Sequence, residues 1–290
     1  DWEIDGPIEW NGGWDAARRD PAVREHVMQI DDFSVFQAAI RAERSLLQRE
    51  AFTGPVLAAF PEALVGNYAV YPHDGWRYWY DFFEHLPEGA PYEHEKARYR
   101  PWYPEFEPSG YTFAMPTVYP WADIHGWYDF EDTDFRWIHN MLKVGSNAGA
   151  HTPADTPIIT FVHFNTVTTW TTTEDPGDPL SRERYHDLLW HLLLRGHDAL
   201  FMWSGHEQAV EEAVLAYEVY HDSHAYREFL TDGTPLLFDV PDEPGPVVSA
   251  LRLGDRLLVR RTDFGSEDQV ARVSVDGQEL TIPVANDCQI

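Results

Sequence analysis

Hydrophobic residues along this chain alternate between helical spacing and short β-prone runs. Residues 34–49 are predicted to form a helix, because apolar side chains recur there at intervals of three, four and seven residues. Ser34 and Gln37 fit a capping box at its start. The predicted apolar face comprises Phe36, Ala39, Ile40 and Leu47.

The next segments follow a regular order of strand and helix. Strands are predicted at 64–71, 111–119, 157–163 and 199–203, and helices at 135–144, 182–195 and from Val210 onward. Gly196 stands where a glycine commonly ends a helix. Val210, Ala213, Val214 and Tyr217 are expected to line the inner face of the last helix. This alternation predicts an α/β fold built of βα units around a parallel sheet.

The pattern changes beyond Gly233 to short strands at 236–240, 247–253, 256–262, 270–275 and 279–284. Hairpin turns are predicted at Gly254-Asp255 and Asp276-Gly277. We therefore predict two domains, a catalytic (β/α) barrel portion at 1–232 and a small antiparallel, β-sandwich-like domain at 233–290.

Five strands are counted in the α/β part, ending near Asp1, Tyr68, Phe113, Phe161 and Phe201. A (β/α)8 TIM-type barrel needs eight strands. Either the sheet is open, or these are the five C-terminal strands of a barrel. In the second case a preceding segment or a separate chain of about 100–150 residues is expected to supply the first three strands.

The strongly negative net charge indicates adaptation to salt and argues against nucleic-acid binding. The 290 residues include 49 acidic and 21 basic ones, for a formal charge of −28, and only two residues are lysines. Such self-repulsion is screened in concentrated salt, which indicates a salt-adapted, halophilic protein from a high-salt environment. Without a basic stripe to neutralise phosphates, nucleic-acid binding is not expected.

Hydropathy and thiol content bear on location. The sequence has no apolar run of eighteen residues, so no membrane association is expected. Cys288 is the lone cysteine and has no internal disulfide partner, so thiol content neither shows nor excludes secretion. Secretion stays open.

Candidate catalytic chemistry lies in Asp1-Trp2-Glu3. In an extended segment Asp1 and Glu3 point to the same face, so each carboxylate raises the proton affinity of the other. A proton-sharing acid beside tryptophans suits general acid catalysis on a sugar, because aromatic rings stack on pyranoses. In an inverting scheme, Asp5 or Glu9 would activate water.

Several segments in order resemble the hyaluronidase-type glycoside hydrolases. Asp1-Trp2-Glu3, with the Trp-containing loop at 10–14, is similar to that family's catalytic strand and loop. The segments 64–74, 115–119, 156–162 and 195–203 resemble strands that follow in the family, and together the matches span about residues 1 to 205.

This resemblance implies that Glu3 is the acid/base, that Asp1 tunes and orients it, and that Trp203 packs against the sugar. It also implies a supporting role for Tyr68. Met115 stands where the family has a further tyrosine, and Tyr119 follows four residues later.

Other residues are candidates for substrate binding because of their positions relative to the predicted strands and turns. Asp74 follows a predicted strand, Trp76 belongs to an aromatic cluster after that turn, and His163 ends a β-prone run. No zinc-helix motif, phosphate loop or serine-hydrolase elbow occurs, so neither a metal nor another cofactor is predicted. The expected function is glycoside hydrolysis of a polysaccharide or oligosaccharide. The alternatives are a polysaccharide lyase and a non-catalytic carbohydrate-binding barrel.

Overall fold

A computed structural model gives the structure of this protein. It describes residues 13–66, 107–118, 130–164, 178–203, 209–265, 270–285 and 287–290. The chain divides into two compact units, Asp1–Met115 and Pro116–Ile290. The predicted boundary between residues 232 and 233 lies inside the second unit. No helix among the described residues is both long and apolar enough to cross a membrane.

Helices make up most of what is described of the first unit. They are α1 (Gly13–Ala17), α2 (Pro21–His26), α3 (Phe33–Gln48) and α4 (Gly54–Ala59), with a π-helical segment at Arg49–Thr53 and a 3-10 turn at Glu107–Ser109. Asp20 caps α2, since its carboxylate accepts a hydrogen bond from the Ala22 amide at 2.8 Å.

Helix α3 confirms the helix predicted at 34–49 but corrects its start and its face. The Phe36 amide bonds to the Asp32 carbonyl, so the first turn begins at Phe33 and Ser34 lies within it rather than at the cap. Phe36 is buried, whereas Leu47 is exposed and the polar Gln48 is buried instead. The burial of Phe36 therefore agrees with the predicted face, whereas the exposure of Leu47 corrects it at the end of the helix.

The predicted strand at 64–71 is described only as far as residue 66, and that part is irregular. It is nevertheless tied to the segment around Thr112. The Val65 amide donates to Thr112 Oγ1 at 2.8 Å, and the Thr112 amide donates to the Val65 carbonyl at the same distance. Gly66 lies so close to Phe113 that an added Cβ would be 2.5 Å from the ring. Residues 67–71 lie outside the described residues.

A parallel sheet forms the centre of the second unit. Its strands are β1 (Thr117–Val118), β2 (Ile159–Val162) and β3 (Ala199–Met202), in that spatial order. Val118 pairs with Val162, and Val162 pairs with Met202. The strands predicted at 157–163 and 199–203 are confirmed. Of the strand predicted at 111–119, the described part, 111–118, is a strand only at Thr117–Val118, and residue 119 lies outside the described residues.

The helices of this unit are α5 (Thr133–His151), α6 (Arg182–Leu194), α7 (Ala209–Ser223) and α8 (Arg227–Asp232), with a 3-10 turn at His224–Tyr226 between the last two. Helix α5 packs against β1 and α6, and α6 packs against α7. Three buried aromatic residues of the core are Phe135, Trp137 and Tyr185. The α/β alternation predicted for 135–223 is thus present.

Helix α7 buries the opposite residues from those predicted. Val210, Val214 and Tyr217 are exposed, and Ala213 is exposed with them. The buried positions are Glu212, Leu215, Val219 and Ser223. Glu212 shares this buried face with Leu215 and Val219, and its carboxylate has buried hydrogen-bond partners in His163, directly after β2, and Tyr185 on α6.

Antiparallel strands follow α8. They are β4 (Thr234–Pro235), β5 (Pro246–Leu253), β6 (Arg256–Asp263), β7 (Ala271–Val275) and β8 (Gln278–Ile282). They form a three-stranded sheet, β4-β5-β6, and a two-stranded hairpin, β7-β8. The strand predicted at 236–240 is wrong, since only the Leu236 amide continues the ladder after β4, bonding to the Ala250 carbonyl.

Both predicted hairpin turns are confirmed. Gly254 has a φ of +63°, and Asp276 and Gly277 have φ values of +51° and +78°. These left-handed conformations favour glycine and aspartate in two-residue hairpin loops. Val248, Val259 and Ile282 form part of a shared core between the three-stranded sheet and the hairpin.

The sheets within the described residues are not closed into a barrel. The strand ends predicted at Asp1 and Tyr68 lie outside the described residues. The (β/α)8 barrel therefore stays a prediction, and what is described of it is three adjacent parallel strands with helices between them.

Candidate functional site

Two of the predicted site residues lie side by side at the carboxyl edge of the parallel sheet. His163 directly follows β2, and Trp203 directly follows β3. Because Val162 pairs with Met202 and the strands are parallel, β2 and β3 both end at the same edge of the sheet. The Trp203 amide extends the pairing with a 2.9 Å hydrogen bond to the Val162 carbonyl. Ligand sites of open parallel sheets lie at this edge.

The two rings are in contact. The centroids of His163 and Trp203 are 5.3 Å apart with an interplanar angle of 63°, an edge-to-face arrangement. Phe161, on β2, also packs against Trp203, with ring centroids 6.1 Å apart. Trp203 is 46% exposed and His163 only 6%. The site thus combines an accessible aromatic surface with a histidine that is almost enclosed.

The buried carboxylate of Glu212 is a hydrogen-bond partner of His163. His163 Nδ1 lies 3.2 Å from Glu212 Oε2, and Glu212 is completely buried. Tyr185 donates its hydroxyl hydrogen to the other carboxylate oxygen, Oε1, at 2.5 Å. Three buried polar side chains from β2, α6 and α7 therefore form one hydrogen-bonded chain.

Burial raises the pKa of Tyr185 well above its ordinary value, and the charge of Glu212 raises it further. Tyr185 is therefore a protonated phenol that donates a hydrogen bond throughout the physiological pH range. An ionised carboxylate only accepts hydrogen bonds. Glu212 is accordingly an acceptor for both of its neighbours.

Helix capping positions the elements that carry this chain. Ser181 caps α6, with its hydroxyl accepting from the Arg184 amide at 3.3 Å. Asp134, in the first turn of α5, accepts hydrogen bonds from the Ser181 amide at 2.8 Å and the Ser181 hydroxyl at 2.7 Å. The first turns of α5 and α6 are thereby joined, and Tyr185 lies one turn into α6.

Sequence reasoning did not identify Glu212 or Tyr185 as site residues. Tyr185 lies within the helix predicted at 182–195, and its apolar spacing alone gives no sign of a role in the site. Glu212 has a signal in hindsight, since it lies three and seven residues before Leu215 and Val219 and so shares their buried face. A carboxylate in phase with buried apolar residues indicates a specific partner, because an unpaired buried charge is costly.

The remaining predicted site residues lie outside the described residues. These are Asp1, Glu3, Tyr68, Asp74, Trp76 and Tyr119, together with the alternative carboxylates Asp5 and Glu9. Their roles stay predictions.

Within the described stretches, no group of three or more histidine, cysteine, aspartate or glutamate residues could hold a metal ion. Two other buried histidines are bound to protein groups. His191 lies between the hydroxyls of Ser249 and Thr262, at 2.8 and 3.0 Å. His197 lies 2.9 Å from the Gly145 carbonyl and also contacts the Thr160 hydroxyl. These imidazoles serve packing rather than ligand binding.

No protein-family model, curated protein or solved structure matches this chain. The chemistry of the site is therefore read from its own residues. An exposed indole binds an apolar face of a ligand, and an oriented imidazole beside it exchanges hydrogen bonds with polar groups on that ligand.

Proposed function

We propose that the protein is a glycoside hydrolase that acts on a polysaccharide or oligosaccharide. The observation that carries this proposal is the pairing of partly exposed Trp203 with enclosed His163 at the carboxyl edge of a parallel sheet. The order of segments that resemble hyaluronidase-type glycoside hydrolases supports the same class of substrate.

A pyranose ring has an apolar face of C–H groups and a rim of hydroxyls. An indole face matches the first of these features, and an imidazole nitrogen matches the second. Trp203 and His163 together offer both within one contact distance. This combination suits a sugar better than a purely apolar or a strongly charged ligand.

The proposed mechanism assigns proton transfer to the carboxylates of the first segment. Glu3 protonates the leaving glycosidic oxygen as its bond to the anomeric carbon breaks, and in an inverting scheme a water molecule that gives its proton to Asp5 or Glu9 attacks that carbon. Asp1 raises the proton affinity of Glu3 and orients it. Trp203 stacks against a sugar ring, and His163 bonds one of its hydroxyls. Tyr68, Asp74, Trp76 and Tyr119 are proposed as further substrate contacts. The scheme requires neither a metal nor another cofactor.

The test uses the full natural protein in about 1 M KCl with three hexasaccharides. Chitohexaose carries 2-acetamido groups, cellohexaose lacks them, and a hyaluronan hexasaccharide adds uronates. Cleavage is followed by chromatography of the products and binding by calorimetry. We expect Glu3→Gln to abolish cleavage of the oligosaccharide that is turned over, while its binding is retained.

Trp203→Ala should weaken binding of that oligosaccharide roughly tenfold or more, because the apolar area of one indole is lost from the interface. Tyr220→Ala is the matched control. It removes another exposed aromatic ring, on α7, that contacts His224 rather than the sheet edge. Near-normal turnover by Glu3→Gln would contradict the assignment.

The same measurements separate the alternatives. An unsaturated uronate product that absorbs in the ultraviolet would identify a lyase. Saturable binding without turnover, unaffected by Glu3→Gln, would identify a carbohydrate-binding protein. If none of the three oligosaccharides is bound or cleaved, the proposal fails.

A further inference from the structure

The arrangement around Glu212 constrains which ring nitrogen of His163 carries the proton. Glu212 Oε2 faces Nδ1, and a carboxylate oxygen accepts hydrogen bonds. Nδ1 must therefore be the donor of that hydrogen bond. In the neutral imidazole the second nitrogen, Nε2, then holds a lone pair and is an acceptor.

The carboxylate cannot turn to relieve this constraint. Its other oxygen, Oε1, accepts the hydroxyl of Tyr185, which lies on a different helix, and all three side chains are buried. Trp203 packs edge-to-face against the imidazole from the neighbouring strand. Among the residues that the structure describes, none forms a hydrogen bond with Nε2.

From these contacts we propose that Glu212, held by Tyr185, is a positioning residue that fixes His163 as the Nδ1–H tautomer, so that Nε2 accepts a hydrogen bond from a sugar hydroxyl of a glycan stacked on Trp203. The ligand part of this inference rests on the proposed function. The tautomer part does not, because it follows from protein contacts alone.

The deciding measurement on the tautomer needs no ligand. Long-range 1H–15N correlation spectra of the full protein at pH 8 distinguish the two neutral tautomers and the imidazolium of each histidine, and His163→Gln assigns the signal. We expect the Nδ1–H pattern for His163. An Nε2–H pattern or a doubly protonated ring would overturn the proposal.

Glu212→Gln gives a sharper expectation. Tyr185 still donates to Oε1 of the new amide, so the NH2 group takes the place of Oε2 and donates to Nδ1 of His163. The tautomer should switch to Nε2–H, an effect that loss of packing would not produce. An unchanged Nδ1–H pattern in the folded variant would contradict the role of Glu212.

Tyr185→Phe is the second variant, and it removes one hydroxyl while the ring packed against Phe164 is kept. It leaves the carboxylate in place, so His163 should keep its Nδ1–H pattern. In the double variant with Glu212→Gln the hydrogen bond from Tyr185 to Oε1 is lost, and the switch should become incomplete. A complete switch in the double variant would show that Tyr185 does not hold residue 212.

The ligand part is tested with whichever of chitohexaose, cellohexaose or hyaluronan hexasaccharide the protein binds. Glu212→Gln should weaken that binding roughly three- to tenfold, because Nε2–H cannot accept the hydroxyl. If the tautomer is as expected but no oligosaccharide binds, the proposed function fails and the positioning role stands. If an oligosaccharide binds equally well to wild type and Glu212→Gln, the sugar contact of His163 is refuted alone.

Discussion

Arg195 Nε donates a hydrogen bond to Ser249 Oγ at 2.8 Å, joining the end of α6 to strand β5. The same guanidinium also donates to the carbonyls of Phe238, Asp239 and Val248, at 2.6, 3.0 and 3.3 Å. Arg195 is completely buried. The antiparallel strands are therefore tied to the α/β part by a charged side chain in the core of one unit.

Replacement of Arg195 by methionine should destabilise the protein strongly. The change keeps most of the side-chain length but leaves several buried oxygens without a donor, each costing about 1–3 kcal/mol. We expect the free energy of unfolding to fall by at least about 2 kcal/mol, measured by urea denaturation at constant salt.

Arg252→Met is the matched control. Arg252 also makes a hydrogen bond from the strand region, to Asp276 at 2.6 Å, but both side chains are substantially exposed. Exposed pairs contribute about 1 kcal/mol or less. Equal losses in the two variants would refute the structural role given to Arg195.

Acid should destabilise the protein through His197. Burial, opposed by the hydrogen bond to the Gly145 carbonyl and assisted by the charge of Arg195, lowers the pKa of this imidazole from 6.5 to about 4. Between these two values the unfolded chain binds a proton that the folded chain does not. This contribution to stability is therefore complete above pH 6.5 and is lost as the pH falls towards 4.

The full effect of His197 amounts to about 3 kcal/mol, and the part between pH 7.5 and 5.5 to about 1 kcal/mol. His191 adds to the same trend, because burial also lowers its pKa. Urea denaturation at the two pH values should show the loss in the wild type and a smaller loss in His197→Gln. His221→Gln, which removes an exposed histidine, supplies the reference slope. Identical pH slopes for the wild type and His197→Gln would contradict this prediction.

Salt should stabilise the protein, because its formal charge of −28 produces strong self-repulsion. Raising KCl from 0.1 to 1 M shortens the Debye length from about 10 Å to about 3 Å. We expect Tm to rise by roughly 5 °C or more, since a gain of 1 kcal/mol shifts Tm by about 2–4 °C in a chain of comparable size. Calorimetric scans across this range provide the measurement.

A variant with fewer negative charges separates screening from general salt effects. Glu62, Glu243 and Asp255 are exposed, so Glu62→Lys, Glu243→Lys and Asp255→Lys together reduce the net charge without altering the core. The combined variant should gain less from KCl than the wild type does. The same rise in Tm for both proteins would show that screening is not the cause.

Local sequence patterns were enough to predict those elements whose structure depends mainly on residues close together in the chain. The apolar spacing within 182–195 predicted α6, and its observed bounds are Arg182–Leu194. The glycine and aspartate pairs at 254–255 and 276–277 predicted both hairpin turns, because left-handed backbone is a property of those residues themselves. His163 was proposed because it ends a β-prone run, and Trp203 because the segment 195–203 resembles a glycoside hydrolase strand; their roles in the site stay predictions.

Tertiary contacts determine which polar side chains are buried, and the spacing of residues along the chain did not show this. Glu212 is buried on α7 beside partners that lie far away in the chain, His163 at 49 residues and Tyr185 at 27. Arg195 likewise reaches Ser249 over 54 residues. A buried polar group needs a hydrogen-bond partner, and here the partners lie on elements that are distant in the chain. The spacing of apolar residues along one helix does not show which distant residues will pair. The sequence by itself therefore determined α6, the strands β2 and β3 and both hairpin turns, whereas the folded chain alone determined which polar side chains these elements enclose.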